Sequence, residues 1–292
     1  MYLCINKVIK TMKTIIKYEL TDDTIVVDGI TLHRIKALKD FSNVKAGDLG
    51  GWIEKENNLS QMDNAWIGGD AKVYGSAKVC CDANVYGNAV VCGDAKVCGN
   101  AIVDGNADVY GDAIIYDNAE VYGNARIYDN AWVYGKSKVF GNARICNNAK
   151  VCGDARVHNH AMVGDNAMVF DNARVYGNAR IYGDANVCGN VYIYGNALIY
   201  GDAKVLGDVE VFGEVEICGN AVVCDDADYV VFKNFWSSKR YFTWTRSNNM
   251  WTVGCFYGTG KELIEKAYAD SEKSGKEYEK IVRYVDSILA DK

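Results

Sequence analysis

The chain has 292 residues, a formal net charge of −6 and an isoelectric point near 5.2. That acidic balance lacks the basic footprint on which nucleic-acid binding rests, so nucleic acid is not expected as a partner. No stretch approaches the roughly 18 consecutive apolar residues of a membrane helix, so no membrane span is expected.

Residues 1–63 form a region of their own, expected to be β-rich and to cap the long repeat that begins at residue 64. Met1 to Thr11 is mildly basic, but its apolar run is too short for a secretory leader, and Met12 is an alternative start. From Thr14 to Leu38, short apolar runs (Ile15-Ile16, Ile25 to Val27, Leu32 to Leu38) are separated by Thr21-Asp22-Asp23 and Asp28-Gly29. This pattern predicts two or three antiparallel strands. Asn43 to Ser60 then leads into the repeat, and Trp52 is expected to plug its open end.

Residues 64–227 repeat one six-residue phrase, approximately Val-Tyr-Gly-Asn-Ala-Arg, without insertion. Every sixth position from Ile67 to Val223 is Val or Ile, and two residues before each stands Ala, with Ser137, Val191, Val209 and Val215 as variants. One branched and one small inward residue per six predicts a narrow triangular solenoid, a left-handed parallel β-helix of about nine 18-residue coils. At ~4.8 Å per coil the rod is roughly 43 Å long. A meander would need chain reversals, and a coiled coil would need an apolar period of about 3.5 that the Gly-Asn and Gly-Asp pairs would break. Those pairs belong at the corners, where positive φ and local side-chain hydrogen bonds are required. Eight of the eleven cysteines take the position after the inward residue, where Tyr otherwise stands. Interchange with Tyr and an odd total predict free thiols in a reducing cytoplasm.

Residues 18 apart should lie above one another. One face thus carries Arg126, Arg144 and Arg180 beside Tyr110, Tyr128, Tyr182 and Tyr200, and its neighbour adds Arg156 and Arg174 beside Tyr176. Stacked guanidiniums invite an anion, a nucleotide among the possible ligands, but they can also rest over tyrosine rings in water. The third face gathers Ile114, Tyr116, Trp132, Tyr134, Met168, Phe170 and Leu206, a surface suited to a dimer or trimer. Tyr ladders that stabilise strands without a partner are the competing reading.

Residues 228–292 leave the repeat and predict a small α+β domain. Tyr229 to Phe235, Arg240 to Arg246 and Met250 to Phe256 read as strands, with Asn248-Asn249 as a hairpin turn. Two helices come next, opened by capping boxes Thr259 to Glu262 and Ser274 to Glu277; the second puts Tyr278, Ile281, Val282, Val285, Ile288 and Leu289 on one face. Arg240, Trp244, Arg246 and Trp251 are the candidate partner-binding residues here, with a packed core as the alternative role for the tryptophans.

The rod pattern resembles the bacterial hexapeptide-repeat transferases, in which a histidine at a cleft between subunits is the general base and an extruded loop helps to bind the acyl donor. This chain has no such loop, and its repeat-region histidines are His158, at a Tyr position, and His160, at an Asn corner. His158 is therefore the one weak catalytic candidate. The resemblance extends to gamma-type carbonic anhydrases, but three zinc ligands at competent spacing are not evident, so no metal and no cofactor are expected. The segments Leu32 to Phe41, Ala46 to Glu54 and Tyr241 to Gly258 resemble the ends of hexapeptide-repeat proteins common in phages and prophages. That resemblance implies a phage or prophage context more than an activity. Together with the plain rod and the aromatic-basic end domain, it leads to the expectation of a non-enzymatic interaction protein in the bacterial cytoplasm that binds and inhibits a host defence protein.

Overall fold

A computed structural model of the chain describes residues 16–290. The segment Met1 to Ile15, with both candidate starts, lies outside the described residues, as does the side chain of Leu289. The first elements are a β-hairpin, β1 (Tyr18–Val27) and β2 (Ile30–Ala37), turned at Asp28 and Gly29, whose φ values are 51° and 79°. Paired positive φ at a two-residue loop matches the right-handed twist of the strands. β2 pairs antiparallel with β3 (Leu49–Ile53), and β3 pairs parallel with the rod. Here the expectation for Trp52 fails. Strand alternation turns Ile53 inward, fully buried, so Trp52 faces out beneath the Arg34 guanidinium, 5.0 Å from its ring centre. The end of the rod is filled instead by Tyr18, Ile35, Leu59 and Trp66, with Phe41 edge-on to Trp66 at 5.4 Å.

The repeat is a parallel β-solenoid. Strands β4 to β30 are two residues each, from Trp66–Ile67 to Val222–Val223, and each pairs in register with the strand 18 residues on. They build the three faces of a triangular prism, with nine coils from these strands and most of a tenth from β3 and Leu59. Because the inward Val or Ile and the small residue before it are fully buried in nearly every hexad, the core is one continuous apolar column. Where a corner lacks glycine, as at Asp117, Asp129, Asn147 and Asp165, the residue still holds φ between 54° and 59°. Asp and Asn tolerate that conformation better than other side chains do.

All coil-to-coil amides point the same way: Lys72 N–H donates to Ala89, Lys138 N–H to Ala155 and Lys204 N–H to Ala221. One end of the rod therefore offers unpaired carbonyls and the other unpaired N–H groups. At the first end the buried Lys17 Nζ donates to Ala65 O at 2.8 Å and Asp63 O at 3.3 Å, and Asn58 Nδ2 donates to Ala77 O at 2.8 Å. At the last end, Glu216 N–H donates to Thr243 Oγ1 (3.1 Å), Val222 N–H to Ser247 Oγ (2.6 Å) and Glu210 N–H to Asp226 Oδ1 (3.0 Å).

The C-terminal domain has four strands rather than three, β31 (Tyr229–Lys233), β32 (Tyr241–Thr245), β33 (Met250–Val253) and β34 (Phe256–Gly258). The run from Met250 is broken by a turn at Gly254 (φ 57°) and Cys255. Helix α1 (Gly260–Asp270) opens with the expected Thr259–Glu262 capping box. Helix α2 (Glu272–Ala290) starts earlier than expected: Ser274 and Glu277 lie inside it, and Ser271 Oγ accepts from Ser274 N–H at 3.1 Å. The helix can begin there because Gly275 lets it approach the Tyr268 ring, where a Cβ would meet ring atoms at 2.3 Å. Tyr278, Val282 and Val285 close over Phe242, Trp244 and Trp251.

Candidate functional site

On the twelve-stranded face the predicted arginines do not form one column of equivalent charges. Arg126 is paired with Asp108, Nε to Oδ2 at 3.4 Å, and Tyr128 stacks on Tyr110 with centroids 5.1 Å apart. Arg144 comes one coil later, then Met162 interrupts, then Arg180. Arg144 and Arg180, both exposed, line a shallow groove with Asn142, His160, Met162, Asn178 and Asn196. Tyr182 leans beside it, its hydroxyl 2.8 Å from Met162 Sδ. Burial pushes the Tyr182 hydroxyl up, while the Arg180 and Arg144 guanidiniums pull it back, which places both charges near this ring.

The neighbouring face carries a ladder of six rings, Tyr122, Phe140, His158, Tyr176, Tyr194 and Phe212, with centroids 4.6 to 5.4 Å apart and planes within 11°. His158 is one rung, covered on both faces, with Nδ1 3.1 Å from Asn159 Oδ1. Its position is that of a stacked ring in a regular wall, not of a base in a cleft. Arg174 rests over Tyr192 at 5.1 Å.

The third face does bring Ile114 beside Trp132, and Tyr116 stacks on Tyr134 at 4.8 Å. Lys150 then stands between Trp132 and Met168, its ammonium 5.4 Å from the Trp132 ring, and Asn186 and Lys204 come after Met168. Phe170 is separated from Tyr134 by Cys152 in the same register. The stripe is thus apolar in patches, each bordered by a cation or an amide.

In the C-terminal domain, Trp244 and Trp251 are 2% and 1% exposed and sit in the core between sheet and helices, so the expected binding role does not hold for them. In-register pairing sets the two side by side on the helix-covered face of the sheet, and Trp244 Nε1 donates to Asn249 Oδ1 at 2.8 Å. Arg246 is half-buried, whereas Arg240 is exposed. The aromatic that does face solvent is Phe235, 79% exposed and edge-on to Trp236. Lys233, set over the Tyr241 ring at 5.1 Å, Lys239 and Arg240 surround it in sequence and in the strand pairing. The buried Asn234 pins this loop: its Oδ1 accepts from Ser237 N–H at 2.9 Å and its Nδ2 donates to Tyr278 Oη at 3.1 Å.

Two stretches of the rod match a known repeat. The YdcK β-solenoid repeat family matches residues 119–135 and 173–189. A 39-residue stretch is 46% identical to the Uncharacterized acetyltransferase YdcK of Escherichia coli K12, covering 13% of this chain and 12% of that protein. Two solved structures named as candidate acetyltransferases superpose weakly. One, from Bacillus cereus, is 12% identical with a TM-score of 0.23, covering 75% of this chain and 93% of that one. The other, from Desulfovibrio desulfuricans, is 10% identical with a TM-score of 0.22, covering 91% and 71%. At these scores they add nothing to the architecture described above.

Among the described residues no group of three or more His, Cys, Asp or Glu side chains converges to hold a metal, and the ten cysteines are free thiols. No helix there is long and apolar enough to cross a membrane. His160 and Phe235 are the residues that sequence reasoning undervalued. The signal for His160 was its place in a column of corner asparagines; Phe235 carried none, because strand and loop read alike there.

Proposed function

We propose that the chain is a non-enzymatic β-helical interaction protein of phage or prophage origin, which binds and inhibits a bacterial host defence protein. One observation carries the reading: the loop after β31 is held by the buried Asn234, and it leaves Phe235 exposed with Lys233, Lys239 and Arg240 near it in the chain. An exposed aromatic anchor on a hydrogen-bonded loop that also carries cations fits an acidic, partly apolar partner surface, and its preorganisation lowers the entropy cost of association. The rod supports this as a stiff spacer without loops. The phage or prophage origin is supported by the resemblance of the chain's end segments, and the bacterial cytoplasm follows from it as the place of action. Affinity capture from bacterial lysate with the full chain and with a Phe235→Ala, Arg240→Glu variant tests the proposal. A specific host protein retained by the first and lost by the second supports it; the same proteins on both would sink it.

The second reading is a hexapeptide acyltransferase, favoured by the acetyltransferase name of the 46%-identical relative. Against it stands the burial of both faces of His158 in the ring ladder. Acyl-CoA turnover that disappears in His158→Ala would establish it, and absence of acyl-CoA binding to the intact chain would remove it.

A further inference from the structure

The coil through His160, Met162 and Gly164 departs from the repeat phrase at three neighbouring outward positions: His replaces the corner Asn, Met the Arg, and Gly the Tyr. Corner asparagines elsewhere on this edge form a side-chain ladder, Asn88 to Asn106 (3.1 Å), Asn106 to Asn124 (3.1 Å) and Asn124 to Asn142 (3.3 Å), resuming from Asn178 to Asn196 (3.0 Å). At His160 it is interrupted, and among the described residues Asn142 Nδ2 donates to no protein acceptor. Beyond it Gly164 removes a side chain, and the Tyr182 ring and Cys146 Sγ close over the space, 3.1 and 3.2 Å from where a Cβ would stand. Among the described residues Arg144 and Arg180 line the groove without an ion pair, in contrast to Arg126 on its Asp108. Asp165, at the next corner, is occupied by Asn147 Nδ2 (2.8 Å) and Gly183 N–H (3.1 Å).

We propose that this groove binds a ligand through a pyrophosphate group, one phosphoryl against Arg144 and the other against Arg180. The two arginines stand two coils apart, ~9.6 Å along the rod. Each guanidinium fork pairs with one anionic centre, so two linked centres satisfy both where one cannot. The remaining terminal oxygens face donors, the Asn142 amide and the His160 imidazole. A second anion also relieves the repulsion of two cations that line one groove. Because the ring faces of His158 and Tyr176 cover each other, no base can stack between them, and recognition is of the phosphates alone. This site is independent of the Phe235 loop.

Calorimetric titration of the full chain at constant ionic strength tests the proposal, with inorganic pyrophosphate, ADP, GDP, orthophosphate and succinate as ligands. Pyrophosphate, ADP and GDP should bind alike, and orthophosphate at least about tenfold more weakly, as expected when one charge-assisted pair is lost. Succinate, which has two linked anionic centres but no third oxygen on either to meet Asn142 or His160, should bind more weakly than pyrophosphate. Arg144→Gln and Arg180→Gln should each lose about tenfold, and Arg174→Gln, on the ladder face, should lose none. His160→Asn should rejoin the asparagine ladder and weaken binding without lowering the melting temperature. No heat with pyrophosphate, equal binding of orthophosphate, a tenfold preference for one base, or equal loss in Arg174→Gln would each overturn it.

Discussion

The two ends of the rod meet the same problem with opposite chemistry. The first end presents carbonyls and is closed by donors, the Lys17 ammonium and the Asn58 amide; the last presents N–H groups and is closed by the oxygens of Thr243, Ser247 and Asp226. A parallel solenoid is directional, so its caps cannot be exchanged, and a cap of the wrong polarity would leave a row of buried groups unpaired. Each cap also blocks end-to-end stacking of rods.

The largest effect should come from reversing that polarity. Lys17→Glu sets a carboxylate against the carbonyls of Asp63 and Ala65 and should cost about 3 to 5 kcal/mol in denaturant unfolding, the cost of an uncompensated buried charge. Lys17→Met, which removes the donor without adding an acceptor, should cost about 1 to 3 kcal/mol. Unchanged stability in both would show that the first end needs no donor. At the other end Thr243→Val strands the Glu216 N–H and should cost about 1 to 2 kcal/mol, with its increase in amide exchange confined to the last coil.

Alkaline titration separates the cap from the wall. Burial lowers the Lys17 ammonium to about 8, so the unfolded chain holds its proton more tightly, and this group adds stability as pH rises from about 8 toward its ordinary 10.5. The rod wall behaves in the opposite sense. Burial raises Cys80 to about 12, and burial together with the neighbouring Cys146 raises Tyr128 to about 12. Their stabilisation is complete below the ordinary thiol and phenol values and is lost as pH climbs toward 12. Melting temperature should therefore rise slightly above pH 8 and then fall steeply, and Lys17→Met should abolish the rise alone. A melting temperature that does not fall as pH approaches about 12 would contradict the raised thiol and phenol values of the wall.

The smallest effect belongs to a corner midway along the rod. His160→Asn restores two exposed amide bridges, one from Asn142 and one to Asn178, and should add about 0.5 to 1 kcal/mol, low for two hydrogen bonds because both are exposed, measured by urea unfolding. A loss there would mean that the imidazole is itself structural.

Legibility in the sequence tracks repetition. The inward Val or Ile, the small residue before it and the corner pairs recur with a period that one strand shares with the next, so coil length, register and the three faces can be read from residues 64–227 alone. The two stacked aromatics at Tyr116 and Tyr134 and the rung role of His158 come from the same count. Trp52 could not be placed this way, because residues before Asn64 carry no hexad register and β3 joins the rod at a different spacing (Ile53 to Val73, 20 residues, against 18 elsewhere). Trp244 and Trp251 could equally have been core or surface until helices α1 and α2 covered their side of the sheet. Phe235 could have continued β31 until Asn234 turned the chain.

Sequence by itself determined the solenoid, because a period of six is a local rule that every hexad obeys and that nearest neighbours enforce. Only tertiary structure decided how the ends are closed and which cations stay free. Those outcomes depend on contacts between segments far apart in the chain, such as Lys17 with Ala65 or Glu216 with Thr243. They also depend on single departures, such as Met162 between two arginines, that no periodic rule predicts.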